Sequence, residues 1–227
     1  MESQENKMPK NQLNNQSPLR EISGFHVEGH IKIFDPETKE VYRDQRNAIH
    51  YENMSVALAE SLANMADSSG ARRGMIYQMA FGNGGTTVDP TGLITYLTPN
   101  TVGVNSSLYS QTYAKIVDQN DAENLDPVRN KMEIRHLSGA TYTDILISCV
   151  LDYSEPSSQE AFDNSVDLSG NFVFDEIGLV SNAGGAPGKL LTHVIFHPVQ
   201  KSLNRLLQID YTIRIQSLTS FTDTGAI

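Results

Sequence analysis

The sequence LQIDYTIRIQ, residues 207–216, alternates apolar and polar side chains without interruption. Because successive side chains of a β-strand point to opposite faces, this pattern predicts a strand with one buried face and one wet face. The alternation in FHVEGHIKIF, residues 25–34, predicts a second strand of the same kind. A turn at 35–38 and a new apolar start at Val41 make residues 25–46 a predicted hairpin.

Further strands are predicted along most of the chain, separated by turn-forming residues. The candidates are 75–81, 107–118, 131–137, 141–152, 172–180, 189–196 and 204–217, with a short paired piece at 93–97. About eight or nine strands and a single helix predict a mainly β chain, an antiparallel β-sandwich with one packed α-helix and an extended N-terminal arm.

The one predicted helix lies within residues 47–66, with its body at about 51–66. Asn47 and Asn53 are both candidate N-caps, because an Asn side-chain oxygen can accept from the free backbone N–H groups of a first turn. Apolar residues at helical spacing predict one buried stripe, formed by Met54, Leu58, Leu62 and Met65.

The chain is predicted to form one domain with polar ends. Residues 1–21 are polar, so they cannot bury enough apolar surface to offset the entropy of ordering them. They are predicted to be a flexible or partner-ordered N-terminal arm, followed by a single β-sandwich domain at 22–220 and a C-terminal tail at 221–227. The long loops 86–106 and 153–170 are expected to be functional or to contact a partner.

Composition argues against several classes of function. The 227 residues carry 17 Lys and Arg against 27 Asp and Glu, a net charge of −10 without a basic cluster, which disfavours direct nucleic-acid binding. The lone Cys149 excludes an intramolecular disulfide and a multi-cysteine metal site, and is expected as a small buried residue. No apolar run is long enough for a bilayer and no apolar signal core is present, so neither a membrane partner nor export is expected.

Gly82-Asn83-Gly84-Gly85 is a first candidate for a ligand-binding loop. It lacks the spacing of phosphate-binding loops and no helix is predicted after it, so it predicts a tight turn with positive φ angles instead. The acidic segment 118–126 has Glu123 where a calcium loop has its glycine, and it predicts a solvated loop.

His26, Glu28 and His30 are the candidates for a metal site, because they share one face of the first strand. Neighbours on that face are about 7 Å apart, which is long for chelation, so a solvated face is the competing interpretation.

Two further pairs of ionisable residues lie on later strands. Asp175 and Glu176 are sequence neighbours, so their side chains are expected on opposite faces, which prevents them from acting as a pair. Glu176 is expected to face inward and to bond to a loop. His193 and His197 are expected near a strand end, bonded to backbone or to a neighbouring subunit. No catalytic residue, cofactor-binding residue or cofactor is predicted.

Three segments carry a resemblance to a known group of proteins: NAIH at 47–50, MAFGNGG at 79–85, and FDEIGL at 174–179 running on to LLTHVIFHPVQKS at 190–202. Together they resemble small virion structural proteins of tailed double-stranded DNA bacteriophages, such as neck, collar and tail-fibre-associated proteins. The resemblance covers residues 25–217 in outline, and its motifs are structural rather than catalytic.

The resemblance implies a non-enzymatic structural subunit at the neck/collar or the fibre-attachment region of the tail. Its expected partners are copies of itself in a ring or other closed oligomer, together with other neck, tail or fibre components. The expected location is the virion, assembled in the host cell cytoplasm. Two alternatives remain open: a receptor- or glycan-binding module that uses loops 86–106 and 153–170, and a metal-dependent cupin-like enzyme that uses His26, Glu28 and His30.

Overall fold

The structure is a computed structural model, and it describes residues 21–153, 155–157, 172–202 and 204–221. These residues form thirteen strands and one helix. In chain order they are β1 (Glu21–Phe34), β2 (Val41–Arg46), β3 (Ala48–Ile49), α1 (Tyr51–Leu62), β4 (Arg73–Gly82), β5 (Thr86–Val88), β6 (Ile94–Tyr96), β7 (Gln111–Ile116), β8 (Lys131–Arg135), β9 (Tyr142–Leu151), β10 (Val173–Ala183), β11 (Pro187–Leu190), β12 (Thr192–Gln200) and β13 (Leu207–Phe221).

Two antiparallel sheets face each other across one apolar core. The first sheet has the order β2-β1-β13-β9-β8, and the second has the order β3-β12-β10-β4-β7 with β11 beside β10. Side chains from both sheets meet in the same core cluster, for example Ile31 and Ile209 from the first sheet and Phe81 and Phe174 from the second. The predicted mainly β, antiparallel sandwich with one helix is confirmed.

The pairing of β1 with β13 explains why the alternating sequences decide the fold. Their register places Ile31 opposite Tyr211 and Ile33 opposite Ile209, and all four side chains are buried. The predicted 25–46 hairpin is confirmed by the antiparallel pairing of β1 with β2. A one-residue slip would turn this whole apolar set toward solvent, so burial of one face fixes the register.

Helix α1 is shorter than predicted. It begins after His50, whose Nδ1 accepts a hydrogen bond from the backbone N–H of Asn53, so His50 and not Asn47 or Asn53 is the N-cap. Met54 is buried as predicted, but Leu62 is 87% exposed. The predicted stripe is therefore wrong in its C-terminal half, because the helix ends at Leu62 and the chain turns away before Met65.

Helix α1 lies close against β4 because Gly74 has no side chain. A Cβ at Gly74 would lie 2.4 Å from the carbonyl oxygen of Ala57, and its φ of +83° is also one that favours glycine. The described part of the chain contains no helix long and apolar enough to span a membrane.

Several predicted segments fall wholly or partly outside the described residues. Residues 1–20 of the predicted arm, 222–227 of the predicted tail and most of loop 153–170 are among them. Glu21 and Phe221, which were assigned to the arm and the tail, are the terminal residues of β1 and β13. Loop 86–106 is described, and it contains the β5–β6 hairpin at the place of the predicted 93–97 piece.

Candidate functional site

The first candidate is a set of buried ionisable residues where β10 and β12 meet. Asp175 and Glu176 are almost completely inaccessible to solvent, as is His193. The register of β10 against β12 shifts here: Phe174 pairs with Val199 and Glu176 with Ile195, so the extra residues are on β12 and Asp175 lies opposite the bulge. A bulge interrupts strict alternation and redirects side chains, which a sequence pattern of period two cannot show.

Both carboxylates hold the loop that follows β4. Asp175 Oδ1 accepts from the backbone N–H of Gly85 at 2.8 Å, and Oδ2 accepts from that of Thr86 at 2.8 Å. Glu176 Oε1 accepts from the N–H of Gly84 at 3.1 Å. The two side chains thus anchor adjacent residues of one loop, and the expectation that they do not act as a carboxylate pair in catalysis stays a prediction. The expectation that Glu176 faces inward and bonds to a loop is confirmed.

Glu176 also holds the chain where it returns to β7. Its Oε2 accepts from the N–H of Tyr109 at 2.9 Å and its Oε1 accepts from the N–H of Ser110 at 2.7 Å. Burial by itself would raise the pKa of Glu176, but the hydrogen bonds from His193, Ser110 and Tyr109 outweigh it and hold the pKa below its usual range. The carboxylate is thus stabilised in its ionised form.

Asp175 has the opposite shift. Desolvation raises the pKa of Asp175, and the nearby charge of Glu176 adds to the rise, while the hydrogen bonds from Thr86 and Gly85 oppose it. The pKa values of the two adjacent carboxyls therefore shift in opposite directions, because the hydrogen bonds to Glu176 outweigh its desolvation and those to Asp175 do not.

The glycine run is required by this arrangement and not by backbone conformation. Gly82, Gly84 and Gly85 are not among the glycines with positive φ, so the prediction of a positive-φ turn is wrong. A Cβ at Gly82 would lie 2.4 Å from Glu176 Oε1, and one at Gly84 would lie 2.7 Å from the nitrogen of Ser110. The small residues make room for the carboxylate and for the returning chain.

Two buried histidines complete the attachment of this segment. His193 Nδ1 accepts from the backbone N–H of Asn100 at 2.8 Å, so Nε2 is the nitrogen that donates to Glu176 at 3.0 Å. His50 Nδ1 caps the helix, and its Nε2 donates to the carbonyl of Gly103 at 3.0 Å. The expectation that His193 bonds to backbone is confirmed. We call His50, Asp175, Glu176 and His193 the buried anchor.

The buried anchor fixes the long excursion formed by residues 84–110. Its groups are sealed from solvent and their hydrogen-bonding atoms are directed at backbone of the excursion. The excursion in turn presents exposed apolar side chains at the surface, among them Val88, Leu93, Tyr96, Val102 and Tyr109. The chemistry of the buried anchor is therefore structural support for an exposed surface.

The second candidate is the end of the β1–β13 pair. The pairing continues to Glu21 opposite Phe221, but β9 accompanies β13 only as far as Gln216. The two strands thus extend beyond the sandwich, with Phe25 77% exposed and Leu218 49% exposed. We call Glu21–Phe25 together with Ser217–Phe221 the projecting ribbon.

One edge of β1 is open beside this ribbon. Strand β2 pairs with β1 only from His30 to Phe34, and the Asn47 N–H then donates to the carbonyl of Gly29. From there the chain crosses to β3 in the other sheet. Among the described residues, β1 therefore has no strand neighbour on this side from Glu21 to Glu28, which we call the open edge.

The predicted metal candidates lie on the outer face of the first sheet. His30 Nε2 is 2.8 Å from Asp44 Oδ1, and Glu28 lies between Arg46 and Arg214 at 3.8 and 4.0 Å. His26 is exposed. Within the described ranges, no group of three or more His, Cys, Asp or Glu side chains is placed to hold a metal ion.

A shallow cavity of about 380 Å³ lies on the same outer face. Arg214 donates from Nε and Nη2 to the two oxygens of Asp144 at 2.8 and 2.9 Å, and its guanidinium lies 4.0 Å from the ring centre of Tyr142. These hydrogen bonds hold the pKa of Asp144 below its usual range. Paired charges of both signs line this surface, as expected for a solvated sheet face.

The remaining sequence candidates are structural. Cys149 is fully buried and burial raises the pKa of its thiol to about 12, which confirms the expected buried residue. The acidic segment is not simply solvated, because Asp118 and Asn124 are buried and Asn124 donates to the carbonyls of Asp118 and Asn130. His197 is exposed and lies 3.1 Å from the hydroxyl of Tyr96.

Comparison with known proteins identifies no relative: no protein-family model, no curated protein and no solved structure matches this chain.

Proposed function

We propose that this chain is a non-enzymatic structural subunit of a tailed bacteriophage virion, assembling in multiple copies at the neck/collar or the fibre-attachment region of the tail. The observation that carries the proposal is the projecting ribbon with its open edge. An exposed strand edge is a template for pairing with another chain, and a two-stranded ribbon has little stability of its own. The virion setting rests on the sequence resemblance of residues 47–50, 79–85 and 174–202.

The buried anchor supports a structural rather than an enzymatic role. Glu176 and His193 form an ionisable pair with 3.0 Å between Oε2 and Nε2, and both side chains are fully buried. A catalytic acid or base must come within hydrogen-bonding distance of its substrate. These two groups instead form their hydrogen bonds with backbone atoms and with each other.

The proposed partners are further copies in a ring or other closed oligomer, and other neck, tail or fibre proteins. A closed ring satisfies every exposed interface with a limited number of subunits. The net charge of −10 disfavours contact with packaged DNA, so the proposed contacts are between proteins. The proposed site of assembly is the host cell cytoplasm, and the final location is the virion.

Two measurements test this proposal. The solution mass of the purified chain, measured by light scattering over a range of concentrations, is expected to be a multiple of 25.1 kDa. A labelled copy is expected to be incorporated and to appear at the neck or at the base of the fibres in images of intact particles. A chain that stays monomeric at every concentration and is absent from particles would contradict the proposal.

A second candidate function is recognition of a host receptor or glycan by the excursion. Tyr96 and Tyr109 are exposed there, and their hydroxyls are held by His197 and by the carbonyl of Thr98. Positioned aromatic rings can stack on sugars. Specific binding of the isolated protein on a glycan array, lost in a Tyr96→Ala and Tyr109→Ala double variant, would favour this function over assembly.

A further inference from the structure

Within the described part of the chain, the backbone groups along the open edge of β1 have no strand partner. The carbonyl of Gly29 points to this edge, because it accepts from Asn47 N–H. Backbone groups alternate in direction along a strand, so those of Val27 and Phe25 point the same way. The eight residues from Glu21 to Glu28 span about 26 Å, which is the length of an ordinary strand.

Phe25 lies on the apolar side of this edge. It is paired across the ribbon with Ser217, two residues along from the pair of the buried Val27 with the partly buried Ile215. Phe25 therefore lies on the same face of β1 as the core residues. The second sheet does not extend far enough to cover it, and its side chain is 77% exposed. A large aromatic side chain in this position is typical of an interface centre.

We propose that a second copy of this chain pairs antiparallel with the open edge, about a two-fold axis that places Phe25 opposite Phe25 of the second copy. This inference rests on the proposed function, because it names how two of the assembling copies meet. The two first sheets would become one continuous sheet through the two β1 strands. The contact is isologous, so the same surface is used by both partners.

The register of the proposed pairing between the two β1 strands follows from which backbone groups of residues 21–29 are already bonded within the subunit. Antiparallel pairing matches residues whose backbone groups point the same way, and Phe25 lies at the middle of residues 21–29. Pairing centred on Val27 would place Phe25 opposite Gly29, whose carbonyl already binds Asn47. The Phe25 register instead uses residues 22–28 of both copies and leaves that contact intact.

Charge is compatible with this register although each chain carries a net charge of −10. Glu28 of one copy would lie opposite residue 22 of the other, so the two Glu28 carboxylates are six residues, or about 20 Å, apart. That separation exceeds the screening length of about 8 Å at physiological ionic strength. Each Glu28 also keeps its neighbours Arg46 and Arg214 within the same subunit.

The chain that precedes β1 supports a second copy as the occupant. In this register Glu21 of one copy reaches Gly29 of the other, beside a cavity of about 460 Å³ lined by Arg46, Asn47, Tyr51 and Glu52. The point at which the chain enters β1 would therefore lie at the surface of the partner. A strand pair alone falls short of the roughly 800 Å² per partner of a standard interface, and twenty further residues can supply the remaining area.

A cysteine at the centre of the pairing tests the proposal directly. Paired residues of this kind have Cα atoms about 5.5 Å apart, which is within the range for a disulfide of 4.4–6.8 Å. We expect Phe25→Cys to form a disulfide-linked dimer under mild oxidation, measured by mass under non-reducing conditions. The native Cys149 is fully buried, so it is not expected to form a cross-link of its own.

Leu218→Cys is the matched control, because Leu218 is exposed on the same ribbon but belongs to β13, away from the open edge. Phe25→Asp is the second variant. It is expected to shift the solution mass from multimer toward a smaller species while the circular-dichroism spectrum of the subunit stays unchanged, because the side chain is outside the core.

The possible failures are distinguishable. If the wild-type chain is multimeric, but Phe25→Cys cross-links no better than Leu218→Cys and Phe25→Asp leaves the mass unchanged, the edge pairing is wrong and the structural function stands. If the wild-type chain is monomeric at every concentration and absent from particles, both proposals are wrong. Linkage of Phe25→Cys alone, together with a mass change in Phe25→Asp, supports both.

Discussion

The buried anchor and the projecting ribbon differ in whether nearby backbone groups have hydrogen-bond partners. At the buried anchor, Asp175 and Glu176 accept from five backbone N–H groups of one excursion, at Gly84, Gly85, Thr86, Tyr109 and Ser110. At the open edge, the described residues provide β1 with no neighbouring strand from Glu21 to Glu28. The first region satisfies its polar groups within the subunit, whereas the second has no strand partner among the described residues.

This difference predicts that the stability of the subunit and its proposed assembly depend on different residues. A buried carboxylate that holds several amides is costly to disturb, because its removal leaves donors unpaired in the interior. The exposed part of the open edge, at Gly24, Phe25 and His26, can be altered at little cost to the subunit, because water already solvates it. Substitutions at the buried anchor should therefore change the free energy of unfolding, whereas substitutions at the ribbon should change self-association.

The largest effect is expected for Glu176→Gln. The amide group cannot accept at both positions, so the donors of His193 and Tyr109 would meet an NH₂ group, and we expect a loss of about 3 kcal/mol in the free energy of unfolding. Urea denaturation measures the change. Glu133→Gln is the control, since Glu133 lies on the surface beside Lys131, and it should match the wild type. Equal stability of both variants would contradict the structural role of Glu176.

A somewhat smaller loss, about 2 kcal/mol, is expected for Gly82→Ala because the added methyl overpacks the core. The new Cβ would lie 2.4 Å from Glu176 Oε1 and 2.5 Å from the carbonyl oxygen of Ser110. Gly24→Ala is the matched control on the ribbon, where a Cβ meets nothing within 4 Å. Thermal melting compares the two, and a Gly82→Ala protein as stable as Gly24→Ala would show that the close approach is not required.

The pH dependence sharpens the same comparison. The folded-state pKa of Glu176 is lowered, so its contribution is complete above the unfolded-state pKa of about 4.3 and is lost as pH falls through the folded-state value. Asp175 has a raised pKa and the opposite sign; it is present in both proteins compared, and the variant removes only the part of its shift that the charge of Glu176 causes. We expect the stability gap between wild type and Glu176→Gln to shrink from pH 7 to pH 3. A gap that stays constant would mean that the charge of Glu176 contributes nothing.

The smallest change in stability is expected when residues 1–20 are removed. The truncation leaves every described strand intact, so the melting temperature should be nearly unchanged. Incorporation into particles, measured by protein mass spectrometry of purified virions, should be abolished if the arm docks on a neighbouring subunit. Normal incorporation of the truncated chain would restrict the interface to the ribbon and the excursion.

Much of the fold was predictable because burial repeats along the chain. The alternation at 207–216 and 25–34 identified β13 and β1, and the apolar spacing around Met54 identified α1. These signals are local, so they require no knowledge of which strands become neighbours. The end of α1 was not predictable from spacing, since Leu62 and Met65 continue the apolar pattern into solvent.

The contacts of the buried anchor were only partly predictable. Glu176 was expected to bind a loop, but the bulge opposite Asp175 and the close approach at Gly82 depend on strands far apart in sequence. His50 gave no signal as a helix cap, because Asn47 and Asn53 are both more common capping residues. The exposure of Phe25 was also not predictable from the sequence, since its position in the alternation is the same as that of buried residues.

The sequence by itself determined that this chain forms amphipathic strands with one helix, because side-chain alternation depends only on the backbone of a single strand. Only the tertiary structure decided which of those strands continue past the core and which polar groups are sealed inside it. The physical reason is that burial of a strand depends on the opposite sheet, and pairing of its edge depends on where the chain crosses between sheets at Asn47. Neither contact can be read from the periodicity of one segment.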